Sequence, residues 1–153
     1  MEENNRYCKV CVTGGSGFIG SCLIKMLFNK GNYYVHATLR NLVNRLKGLE
    51  GAETRLKLFE ADIYNPQQFD GAIKDCKFVF HVATPLLHTQ QSQYKGLTEA
   101  SLAGVKSIIK SCIRSGTVRR LIYTASVMAA SPLKDDEGGL KDFMDENCWT
   151  SVL

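Results

Sequence analysis

Gly14, Gly17 and Gly20 recur at intervals of three in the stretch VTGGSGFIGS, residues 12–21, with apolar sequence on both sides. The first glycine permits the backbone conformation of a tight turn. The second lets a bulky anion approach with no Cβ in its way, and the third lets a helix pack closely on the strand before it. The first N–H groups of that helix lack intrahelical partners and point, with the helix dipole, at whatever lies in front of them. A strand, a glycine turn and an amphipathic helix in this order read as a cradle for the diphosphate of a dinucleotide.

Which dinucleotide depends on the end of the second strand. An acid about 20 residues past the glycines would bind the ribose hydroxyls of NAD, whereas an arginine there accommodates the 2′-phosphate of NADP. The segment YYVHATLRNLVNRLK, residues 33–47, supplies Arg40, Arg45 and Lys47 and no acid. A carboxylate would repel a 2′-phosphate, and a guanidinium can grip it with two hydrogen bonds. NADP(H) is therefore the expected cofactor. Residues 1–49 carry seven Lys and Arg against two acids, so the net charge of +4 belongs to the first third of the chain. Nucleic acid is the other anion such a field attracts, but no nucleic-acid motif appears and the aromatics do not alternate with the basic residues.

Other reactive side chains point to packing. Cys8 and Cys11 form a C-x-x-C inside the apolar run YCKVCV. Positions three apart on a strand face opposite sides, which favours packing over a redox pair or a shared metal. His36, His81 and His88 stand apart from one another, and no metal site is expected. The six acids of SPLKDDEGGLKDFMDEN, residues 131–147, read as a solvated surface loop.

The elements that position the glycines alternate. Strands are expected over Tyr7 to Val12, Tyr33 to Leu39, Leu56 to Glu60, Phe78 to Val82 and Arg120 to Thr124. Helices are expected in FIGSCLIKMLFNKG, in NPQQFDGAIKDC and in TEASLAGVKSIIKSCIRSG. In the first, Phe18, Ile19, Leu23, Ile24, Met26 and Leu27 form the apolar face and Gly31 closes the end. In the second, Asn65, Pro66 and Gln68 suggest a capping-box start. In the third, Val105, Ile108, Ile109, Cys112 and Ile113 form the apolar stripe and Gly116 stops the helix. Alternating strands and helices predict an α/β fold, a Rossmann-type doubly wound parallel sheet of about five strands.

At 153 residues and 44% apolar composition the chain suits one soluble domain, residues 1–153. No apolar run reaches membrane-spanning length and MEENNRY lacks the features of a signal segment, so a cytoplasmic protein with no membrane partner is expected.

The motifs VTGGSGFIGS, ATLRN, ADIYNP, VFHVATP and LIYTAS together resemble the extended short-chain dehydrogenases/reductases. The likeness is strongest to the plant dihydroflavonol reductase, anthocyanidin reductase and cinnamoyl-CoA reductase group, and it runs from Val10 to about Thr150. The resemblance implies that Gly14, Gly17, Phe18, Ile19 and Gly20 hold the pyrophosphate and that Arg40 and Lys47 hold the 2′-phosphate. It implies that Asp62 and Ile63 contact adenine and that Val82, Ala83, Thr84 and Pro85 line the nicotinamide ribose. It also gives Ser126 the catalytic serine's place, hydrogen-bonding the substrate carbonyl, with Ala125 where relatives carry another serine.

The same family protonates the nascent alkoxide with a Tyr from a Tyr-x-x-x-Lys pair. None of Tyr7, Tyr33, Tyr34, Tyr64, Tyr94 and Tyr123 is followed four positions later by Lys. In relatives that pair lies some thirty residues beyond the serine, so the expectation is a C-terminally truncated, incomplete domain without its substrate part. RLIYTA, residues 120–125, would then be an apolar edge strand prone to self-association. The implied activity is NADPH-dependent reduction of a carbonyl or related unsaturated group of a plant phenolic, lost in this stretch alone. The alternative is a non-catalytic NADP(H)-binding module with a regulatory or partner-binding role. An NAD-dependent sugar-nucleotide epimerase would require an acid where Arg40 stands.

Overall fold

The computed structural model describes residues 7–40, 46–84, 94–126, 129–134 and 138–150. The chain divides into two compact units, residues 1–123 and 124–153. The first contains β1 (Cys8–Thr13), α1 (Phe18–Asn29), β2 (Tyr33–Leu39), α2 (Ala52–Arg55), β3 (Leu56–Glu60), α3 (Phe69–Ile73), β4 (Phe78–His81), α4 (Leu97–Ser115) and β5 (Arg120–Tyr123). A single 3-10 turn, Pro66–Gln68, leads into α3.

All five strands are parallel, in the order β3-β2-β1-β4-β5. This is the Rossmann-type sheet that the alternation of elements predicts. Parallel strands covered on both faces are buried on both, as most of β1 and β2 is. Val10 and Val12 pack with Val35, Ala37 and Leu39 against Ile24, Leu27 and Phe28 of α1. Cys11, one residue out of phase, packs on the other face with Phe69, Ile73, Val79 and Ile108. Cys8 joins the first cluster, so the C-x-x-C is split between the two sides of the sheet. Each such fully buried aliphatic side chain stabilises the fold by about 1.5–3 kcal/mol.

The helices hold where expected, but two apolar faces differ in detail. On α1 the buried residues are Gly20, Ile24, Leu27 and Phe28, while Phe18, Ile19 and Met26 are exposed. Gly31 closes that helix with φ +81° and an N–H donated to the Phe28 carbonyl. On α4 the buried residues are Ala100, Gly104, Ile108 and Ser111, while Ile109 and Ile113 of the expected stripe lie outside. The physical reason is the surface that α4 meets: Ile108 packs with Cys11 and Val79, Gly104 lies against Ile63 and Ser111 bonds Asp70 on α3, which turns the buried face away from Ile109 and Ile113. Gly116, at φ +66°, ends it in the left-handed cap expected of it.

The capping box at Asn65 is replaced by a different arrangement. The Gln68 side-chain carbonyl accepts the N–H of Asp62, while the Asn65 N–H donates to the Asp62 carbonyl and the Asn65 carbonyl accepts the Gln68 N–H. α2 had no sequence signal strong enough to announce it. Two salt bridges occur among the described residues, Lys9 with Asp75 and Arg114 with Asp70; Asp70 also accepts from the Ser111 hydroxyl, fastening α3 to α4.

The second unit has no α-helix or multi-residue strand among its described residues. Two isolated antiparallel bridges, Ala130 with Trp149 and Leu133 with Leu140, fold back the stretch expected to be an irregular surface loop. No helix among the described residues is long and apolar enough to cross a membrane.

Candidate functional site

Strand order reverses between β1 and β4, because β2 and β3 build outward on one side and β4 and β5 on the other. In open parallel sheets, ligands bind in the crevice beyond the carboxyl ends of the strands at such a switch point. β1 delivers Thr13 to that point, paired in register with His81 at the end of β4.

The glycine turn follows directly. Gly14 has φ +68°, a conformation that costs any residue with a Cβ, and a Cβ there would stand 3.1 Å from the Ala83 Cα. The Gly15 N–H donates to the Thr38 carbonyl on β2 at 2.9 Å, and the Gly17 N–H to the Gly14 carbonyl at 3.0 Å. A Cβ on Gly20 would land on the Gly14 carbonyl, which is why α1 can start this close to β1. Gly17 caps α1 without a side chain, and the first turn holds no acid. The first helical bond of the turn runs from the Ser21 N–H to the Gly17 carbonyl, so the N–H groups of Phe18, Ile19 and Gly20 precede the i to i−4 ladder. A bare turn with three such N–H groups ahead of a helix fits a diphosphate in shape and in charge.

Several of the remaining expected residues follow the ends of the neighbouring strands. Arg40 is exposed immediately after Leu39 ends β2, two residues past the carbonyl that holds Gly15. Lys47 is exposed beside Leu46, which is buried in the core at 2% exposure. Asp62 and Ile63 follow β3; the Asp62 carboxylate accepts the Tyr64 N–H, and Ile63 is buried against α4 at Gly104. Val82 and Ala83 leave β4 with both N–H groups donated to the Thr13 hydroxyl oxygen. Thr84 is exposed. Pro85, with Asn41, Arg45 and His88, lies outside the described residues. Ser126 belongs to the second unit, where it is exposed and its carbonyl accepts the Ala129 N–H.

The histidines divide as follows. His36 is buried and donates from Nδ1 to the Ala72 carbonyl at 2.8 Å. Burial holds its pKa below the usual value. His81 is fully buried beside Thr13, and burial pushes its pKa down to about 4, so the ring is neutral near pH 7. No group of three or more His, Cys, Asp or Glu able to hold a metal occurs among the described residues. Thr13 and Gly104 are the two site residues that motif reading passed over. A hydroxyl directly before the first glycine and a glycine inside an otherwise strong helix were the available signals.

Comparison with known proteins agrees with this geometry. The model of the 3-beta hydroxysteroid dehydrogenase/isomerase family matches residues 11–151. A putative anthocyanidin reductase of Ginkgo biloba is 38% identical over 94% of this chain and 42% of its own length. Dihydroflavonol 4-reductase of Gerbera hybrida is 39% identical over 99% of this chain and 41% of its own. The crystal structure of vestitone reductase from alfalfa superposes with a TM-score of 0.77 at 40% identity, over 94% of this chain and 43% of that one. A yeast methylglyoxal/isovaleraldehyde reductase complexed with NADPH shares the fold at 24% identity and a TM-score of 0.70, over 93% of this chain and 46% of that one. The chain thus spans about two fifths of the length of the curated relatives it matches.

Proposed function

The chain belongs to the 3-beta hydroxysteroid dehydrogenase/isomerase family, and from that membership we propose that it forms the coenzyme-binding part of an NADPH-dependent reductase of the plant flavonoid type. The observation that carries the reading is the pairing of a side-chain-free turn at the mouth of α1 with an exposed Arg40 at the end of the neighbouring strand.

In this reading the N–H groups of Phe18, Ile19 and Gly20 bind the diphosphate, with Gly14 and Gly17 leaving room for it. Arg40 and Lys47 bind the 2′-phosphate, Asp62 and Ile63 bound the adenine, and Val82, Ala83, Thr84 and Pro85 line the nicotinamide ribose. When bound, NADPH supplies a hydride from the nicotinamide ring to a carbonyl carbon of a phenolic substrate. The Ser126 hydroxyl donates to the substrate oxygen and orients it. The six cysteines are all free, which fits a reducing, cytoplasmic setting.

A second reading has its own support. The residue pair that protonates the product in such reductases is missing from these 153 residues, since no Tyr is followed four positions on by Lys. The 153-residue polypeptide then binds NADPH without turnover and acts as a nucleotide-binding module. Titration of NADPH fluorescence, followed by assays with dihydroflavonol and hydroxycinnamoyl substrates, separates the two. Binding with turnover selects the reductase, binding alone selects the module, and equal affinity for NADPH and NADH removes the role given to Arg40.

A further inference from the structure

We propose that His81 is a positioning residue for the coenzyme crevice: through the Thr13 hydroxyl it holds the Val82–Ala83 backbone against the Gly14 turn. The proposal rests on the coenzyme reading above and assigns a task to two buried side chains that this reading leaves idle.

The donors around the Thr13 hydroxyl fix the direction of its own proton. β4 ends at His81, so the N–H groups of Val82 and Ala83 have passed beyond the sheet ladder. Both donate to the Thr13 Oγ1, each at 3.0 Å. A hydroxyl oxygen has two lone pairs and one proton, and two donors fill the lone pairs. The proton must then be given away, and His81 Nδ1 lies 2.9 Å from the same oxygen. Nδ1 is therefore the acceptor, and the imidazole carries its proton on Nε2. An imidazolium, or a side chain without an acceptor, would leave Thr13 either competing for a third donor or holding a buried proton with no recipient.

The rest of the ring's surroundings keep it in that orientation. Thr13 and His81 are both fully buried and register partners on adjacent strands. Tyr123 on β5 stacks on the imidazole, with centroids 5.3 Å apart and planes inclined by 24°. The held segment closes on the glycine turn, since the Ala83 Cα lies 3.1 Å from where a Gly14 Cβ would be. The line from Tyr123 through His81 and Thr13 to Ala83 thus crosses three strands and ends at the crevice. It acts on the side that takes the nicotinamide ribose, while Arg40 serves the adenosine side.

That division supplies the test. NADPH and adenosine 2′,5′-bisphosphate, which lacks the nicotinamide half, are titrated against the purified chain and against His81→Leu, His81→Asn, Thr13→Val and Thr13→Ser. His81→Leu and Thr13→Val are expected to weaken NADPH at least tenfold and the bisphosphate less than threefold. His81→Asn, whose amide oxygen can replace Nδ1, and Thr13→Ser should recover most of the loss. Equal weakening of both ligands, or no weakening of either, overturns the proposal. If the unaltered chain binds neither ligand, the coenzyme reading itself fails and takes the proposal with it. Should the variants not fold, nitrogen NMR of the unaltered chain still decides: a His81 ring protonated on Nδ1 overturns the proposal, and one protonated on Nε2 supports it.

Discussion

Gly104 on α4 faces Ile63 so closely that a Cβ in its place would strike Ile63 Cγ1 and stand 2.6 Å from Cδ1. Gly104→Ala improves helix propensity by about 1 kcal/mol, but overpacking a filled site costs about 1–3 kcal/mol. We expect the second to win and the displaced Ile63 to intrude on the adenine side of the crevice. Urea unfolding should show a net loss and NADPH titration a weaker complex. Gly104→Ala should cost less in an Ile63→Ala background than in the unaltered chain; an equal cost in both would mean that the contact is not the cause.

In the proposed complex Arg40 separates the two coenzymes. A charge-assisted bond to the 2′-phosphate is worth about 1.5–3 kcal/mol, so Arg40→Ala should weaken NADPH by roughly ten- to a hundredfold and leave NADH almost unchanged. Isothermal calorimetry with both coenzymes is the check, and parallel losses for the two would refute the assignment.

Gly20 tests the turn. A Cβ there meets backbone on every side, the Gly14 carbonyl first and Gly15 Cα at 3.0 Å. Backbone cannot rotate away as a flexible side chain would, so Gly20→Ala must lift α1 from β1. The expected outcome is a lower melting temperature together with loss of detectable coenzyme binding, measured by circular dichroism and fluorescence. Unaltered binding would show that the turn tolerates opening.

Acid should destabilise the fold through its buried imidazoles. The unfolded chain takes up a proton at His81 near pH 6.5, whereas burial in the fold delays protonation to about pH 4. Stability from the neutral ring is therefore full above 6.5, is lost as pH falls between 6.5 and about 4, and changes no further below. The difference amounts to about 3 kcal/mol. His36, also lowered by burial, adds to the loss in the same direction. Urea midpoints between pH 7.5 and 4.5 should fall, and His81→Asn should flatten the slope; an unchanged slope in that variant would exclude His81 as its source.

The β5 strand, Arg120–Tyr123, is the last of the sheet among the described residues, and Tyr123 is 47% exposed. An unpaired apolar edge recruits another strand. Sedimentation of the 153-residue polypeptide should reveal concentration-dependent association, and a monomer at high concentration would argue against it.

Much of this arrangement was legible in the sequence because its signals are local. Five apolar runs of four to seven residues became five strands, with ends shifted by one residue at most. The glycine spacing announced the turn, since only glycine tolerates Gly14's φ or Gly20's contact. Helix faces were less legible. Ile109 and Ile113 have the right spacing for a core stripe, yet α4 buries Ala100, Gly104 and Ser111 beside Ile108, because the groups that meet this face, such as Ile63 and Asp70, come from distant parts of the chain.

The residue order by itself determined a parallel α/β sheet, a phosphate-type turn, and a basic side chain at the end of β2. These depend on periodicity, on the absence of side chains and on charge, all of which act within a few residues. Only the tertiary structure decided that Thr13 meets Val82 and Ala83 at separations of 69 and 70 residues, that His81 takes the hydroxyl's proton, and that Gly104 sits on Ile63. Those contacts arise where β1 and β4 become neighbours, and no short-range pattern encodes which distant strand will lie alongside another.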